Sequence, residues 1–209
     1  MAELDRLIRS SGGIITLRIR QRRLSERIVN LLVAQSTQRH KDTLILQWAD
    51  YHKRYWAIDY DGLIAQAKRA GQDTESFCQR VKVVRHFSRD SIEDEENWNQ
   101  LFAMAPNIGI CILDSVSELF SDKKETVNKP AVYSFGRFSQ LCSKAGCTGV
   151  ALDYSEWPVN PFVAELSTVV LELHPVDYAI ISRVVKHYGM AEHVEEVPTN
   201  PQRTLRRWF

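Results

Sequence analysis

Residues 107–120 read NIGICILDSVSELF. From Ile108 to Leu113 five positions are apolar and the sixth is glycine, the pattern of a strand buried on both faces. The run stops at Asp114-Ser115, where the chain turns polar. Parallel α/β sheets place metal-binding or catalytic groups by delivering a side chain to the carboxyl end of such a strand. The plainer reading is a strand closed by a capping aspartate.

Working outward, apolar runs at Ile14–Ile19, Thr43–Ala49, Val81–Phe87 and Thr148–Asp153 predict four more strands. Between them, helical spacing predicts a helix over Ser25–Gln38 with Ser25 as its N-cap, and another over Asp61–Ala70 closed by Gly71. A short helix capped by Thr74 and one over Asp94–Met104 follow. Val132–Ala145 places Val132, Phe135, Phe138, Leu141 and Cys142 on one helical face before Gly146. Ser167–His174 and Tyr178–Tyr188 alternate around Pro175-Val176-Asp177 as an antiparallel hairpin would. Strands alternating with helices predict an α/β fold: a mostly parallel sheet, helices on both faces, and an antiparallel hairpin at one edge.

A chain of 209 residues without linkers or repeats is expected to form a single domain over 1–209, ending in a short basic aromatic tail at about 198–209. Net charge is +1, so only the distribution of charge can point to a partner. The opening MAELDRLIRSSGG has charges where a signal peptide needs an apolar core, and no apolar run approaches a membrane span. Cys78, Cys111, Cys142 and Cys147 show no paired spacing, which suits a reducing compartment, and Cys111 reads as a core residue. The six histidines lack metal-ligand spacing. The expectation is an intracellular protein, cytoplasmic in a prokaryote or nuclear in a eukaryote, with no metal and no cofactor.

The segments GGIITLRI, DYDGLIAQAKRAG, VKVVRHFSRD, LDSVSELF and LCSKAGCTGVALD stand in an order and spacing that resemble the RecA/RadA recombinase superfamily, over roughly residues 10 to 190. That resemblance implies a RecA-like core. It also makes Asp114 and Ser115 a vestigial Walker B end, beside which the family holds Mg²⁺ and ATP. The family's phosphate loop needs glycines, a lysine and a hydroxyl so that backbone N–H groups can turn inward on phosphates. Here the corresponding stretch is RQRRLSER, with no glycine from Ile14 to Asp61. Leu24 stands at the lysine position and Ser25 at the hydroxyl position. Side chains bearing a Cβ at every position cannot form that nest without strain. His52 stands near the position of the family's water-positioning glutamate, and Asp153-Tyr154 replaces its later polar sensor. The resemblance therefore implies a pseudo-ATPase rather than an enzyme.

Charge then suggests the partners. Residues 1–40 hold eight arginines against Glu3, Asp5 and Glu26, and Arg18, Arg20, Arg22, Arg23 and Arg27 fall within ten positions. Arginine forks suit phosphates, so single-stranded DNA is a candidate; the acidic stretch Asp90–Thr126 of a neighbouring protomer is another. Lys123, Lys124 and Lys129 add a second basic group, and Trp208 and Phe209 are candidate anchors for a partner. The expected function is a non-catalytic RecA/RadA-like paralog. It would assist homologous recombination and DNA repair in a hetero- or homo-oligomer with a recombinase or second paralog. The alternative is a regulatory or structural subunit of another RecA-fold assembly.

Overall fold

A computed structural model describes residues 13–48, 59–69, 71–87, 94–120, 129–155, 159–176, 179–187 and 194–198. Their elements run β1 (Ile14–Ile19), α1 (Arg22–Gln38), β2 (Asp42–Trp48), α2 (Tyr60–Arg69), α3 (Thr74–Arg80), β3 (Val81–Phe87), α4 (Glu95–Ala103), β4 (Ile108–Asp114), α5 (Val116–Leu119), α6 (Lys129–Ala145), β5 (Thr148–Asp153), α7 (Pro161–Leu166), β6 (Val169–Val176), β7 (Ala179–His187) and β8 (Val194–Pro198). The strands make one sheet in the order β3-β2-β4-β5-β1-β6-β7-β8. The first six are mutually parallel, and β7 and β8 continue the sheet antiparallel. An α/β fold with a six-stranded parallel sheet flanked by helices is consistent with a RecA-like core.

Strand alternation sorts side chains onto two faces. On one, Ile15, Leu17 and Ile19 of β1 pack with Leu24, Ile28 and Leu32 of α1, Leu63 of α2 and Phe77 of α3. Leu24, Ile28 and Leu32 recur every fourth residue, which gives α1 the apolar stripe it buries. On the other face Ile14 meets Trp98 of α4, Phe135, Phe138 and Leu141 of α6, and Val163 of α7. Phe135 and Phe138 stack at 6.1 Å between ring centroids, and Trp98 tilts onto Phe138 at 6.5 Å. Both β1 and β5 are buried along their whole length, as expected for strands covered on both sides. Gly149 lets β5 approach α6: a Cβ there would run into Ile14 Cδ1 and sit 3.1 Å from Cys142 Sγ. Gly146 ends α6 with φ +65°, a conformation that only glycine adopts readily.

Several boundaries differ from the sequence reading. Gln21, not Ser25, is the N-cap of α1, and it caps in position only, because its side chain makes no cap hydrogen bond. The cap therefore lies four residues earlier, and Ser25 is fully buried in the first turn of the helix. Asp73 rather than Thr74 caps α3, accepting from Glu75 N at 3.1 Å. β6 runs on through Pro175 and Val176, which pair with Ile180 and Ala179 instead of forming a turn. Neither α7 nor β8 is anticipated by the periodicity.

Candidate functional site at the carboxyl edge of the sheet

Two polar clusters occupy the carboxyl edge, on opposite faces. The first belongs to β1. In register, Arg18 lies between Asp153 of β5 and Glu172 of β6. Its Nε donates to Asp153 Oδ2 at 3.3 Å and its Nη1 to Glu172 Oε1 at 3.2 Å. Arg20 reaches the same Glu172 oxygen at 3.0 Å, and His174 Nε2 stands 3.5 Å from Oε2. Burial works to raise the Glu172 carboxyl, but Arg18 and then Arg20 outweigh it and hold the group below its ordinary value. The Arg18 side chain is only 8% exposed, so it is an internal strut of the sheet. Arg18, read from the sequence as a candidate for an external anion, is instead paired within the sheet, and the half-exposed Arg20 shares one of its carboxylates. The fold supplies the anions itself, from residues more than a hundred positions away.

The second cluster surrounds Asp114, which ends β4 and is buried. Its Oδ1 accepts from the Tyr154 hydroxyl at 3.0 Å, and its Oδ2 from Gln47 Nε2 at 3.5 Å. The Asp114–Ser115 peptide is cis. Ser115 and Ser117 share a hydrogen bond at 3.0 Å, and Tyr154 N donates to Ser117 Oγ at 3.1 Å. The buried Ser25 hydroxyl also hydrogen-bonds the Tyr154 phenol. Burial, and then the facing Asp114 carboxylate, push that phenol well above its ordinary pKa. Tyr154 thus keeps its proton and serves as a hydrogen-bond donor to Asp114, and not as an acid or base near neutral pH.

Leu24 and Ser25 are both buried at the start of α1. Leu24 is a core side chain, 4% exposed. Only Arg20 and Gln21 separate β1 from α1, too short a connection to wrap a row of backbone N–H groups around an anion. Arg22 and Arg23 open α1, and Arg27 is exposed one turn further on. Lys129 is the first residue of α6. His52, Lys123, Lys124, Trp208 and Phe209 lie outside the described residues. Cys111 is fully buried, and burial pushes its thiol up, which keeps it protonated in the core. Among the described residues, no group of three or more His, Cys, Asp and Glu is arranged to hold a metal ion. No helix among them is long and apolar enough to cross a membrane.

Of the residues that the sequence singles out, Arg18 and Arg20 fall in the first cluster and Asp114, Ser115 and Ser25 in or beside the second, while Leu24 belongs to the apolar core. Sequence reasoning missed Gln47 and Glu172, and it read Asp153 and Tyr154 only as replacements for a sensor. Glu172 did carry a signal, as the lone acid inside the apolar run TVVLELH. No protein-family model matches this chain, and no curated protein matches it.

Proposed function

We propose that this chain is a non-catalytic RecA/RadA-like paralog, an accessory factor in homologous recombination and DNA repair that acts inside the cell. In this reading it works by binding a recombinase or a second paralog, together with single-stranded DNA. The observation that carries the reading is the state of the crevice next to Asp114. β1 enters α1 through two residues, and the carboxylate that resembles a Walker B aspartate is taken up by Tyr154 and Gln47. A core of this type with no room for a phosphate loop is more useful as a shape for partners to bind than as a catalyst. The exposed Arg27, with Arg22 and Arg23 beside it in sequence, supports an anionic partner.

A second reading is favoured by one observation: Arg18 and Arg20 already serve Glu172, which reduces the basic surface left for DNA. On that reading the chain completes another RecA-fold assembly unrelated to recombination. Affinity capture from native extract, followed by peptide identification, separates the two. Recombinase or paralog peptides, enriched over a fold-destroying control, are the expected result. Subunits of a different RecA-fold assembly would replace the first reading by the second, and the absence of any RecA-fold protein would overturn both.

A further inference from the structure

The sheet has its topological switch point at the carboxyl ends of β1 and β5. From β1 the chain crosses one face through α1 to β2, and from β5 it crosses the other through α7 to β6. In open α/β sheets the crevice outside the strands at this point is where ligands sit. Here Tyr154, the first residue after β5, stands in it. Its ring packs against the core on the α1 side. Its hydroxyl donates to Asp114 at 3.0 Å, and its backbone N donates to Ser117 at 3.1 Å. Ser25 of α1 contacts the same phenol. One residue thereby joins β5, the first turn of α1 and the β4–α5 turn.

We propose that Tyr154 is a built-in occupant of this crevice, a clamp that holds the first turn of α1 against the β4–α5 turn as a bound small ligand would. The inference rests on the reading above only in that no nucleotide fills the crevice. It makes this end of the domain constitutively set, with no small molecule needed to order it. An aromatic ring with a hydroxyl aimed at a buried carboxylate also defines the chemistry of the crevice: it accepts a phenol.

The test uses the isolated full-length chain, with neither partner nor nucleic acid, so its outcome is independent of the partner reading. Tyr154→Phe keeps the ring and removes the hydroxyl. Amide hydrogen exchange should speed up in residues 22–28 and in residues 115–119, while β3 and α3 are unchanged. Unchanged exchange in both segments overturns the clamp. Tyr154→Gly empties the crevice, and millimolar p-cresol should then slow exchange in the same two segments and raise the thermal midpoint, whereas toluene should not. If toluene rescues as well as p-cresol does, or p-cresol fails to rescue a folded variant, the crevice is not a phenol site. Should the glycine variant not fold, the Tyr154→Phe exchange pattern alone decides.

Discussion

Replacing Arg18 with alanine is expected to lower the thermal midpoint by on the order of 10 °C. The Arg18, Asp153 and Glu172 side chains are 8%, 5% and 11% exposed, so removing the cation takes the guanidinium from Asp153 and one of two from Glu172 in a region with little water. Breaking a buried pair from one side costs about 3–5 kcal/mol, and a domain of this size loses roughly 2–4 °C per kcal/mol. Arg20 does not make up the loss, because it reaches only Glu172 and is itself half exposed. Arg27→Ala, an exposed change in α1, should shift the midpoint by no more than about 1–2 °C. Acid carries the same signature. Glu172 titrates lower in the folded than in the unfolded chain, so its contribution is complete above the ordinary glutamate value of about 4.3. That contribution fades as pH falls through the lower folded value. Differential scanning calorimetry from pH 7 to pH 3 checks both points. A loss of less than 2 °C at pH 7 for Arg18→Ala would mean that Arg18 is not the internal strut described above.

The second large effect concerns the arginines at the start of α1. Arg22, Arg23 and Arg27 replaced together by alanine should weaken single-stranded DNA binding about equally for all sequences. The dependence of binding on salt should flatten by about 2 in log–log slope, at roughly 0.7 per phosphate contact on a single strand. The thermal midpoint should hardly move, which distinguishes this set from Arg18. Fluorescence anisotropy with oligonucleotides at several salt concentrations provides the measurement. If DNA affinity is untouched while the captured partner is lost, these arginines belong to a protein interface. If neither changes, the functional reading of the stretch is wrong.

The contrast between the two arginine groups shows where the sequence stops being informative. Val81–Phe87 and Thr148–Asp153 are bounded by breaks in composition, so local pattern alone marks both strands. α6 was legible in the same way, through Phe135, Phe138, Leu141 and Cys142 at helical spacing and Gly146 behind them. β8, VEEVP, has two acids and a proline in five residues, and only its pairing with β7 makes it a strand. α7 is six residues long, and its signal is confined to Asn160 as cap and Pro161 at the first position. Arg18 is the instructive case. Alternation along β1 places it correctly opposite Leu17 and Ile19, but exposure does not follow from alternation. Its burial depends on β5 and β6 lying to either side in a register that sets Asp153 and Glu172 beside it, with partners 135 and 154 residues distant. Tyr154 was equally hidden, because its role arises where three chain segments meet.

On the proposed function, the crevice beside Asp114 serves a protein partner and binds no nucleotide. Isothermal titration of the full-length chain with ATP and Mg²⁺ tests it most directly. No saturable heat is expected up to millimolar ATP, because the two-residue β1–α1 connection offers no phosphate cradle and Tyr154 already holds Asp114. Saturable binding in the micromolar range would contradict it.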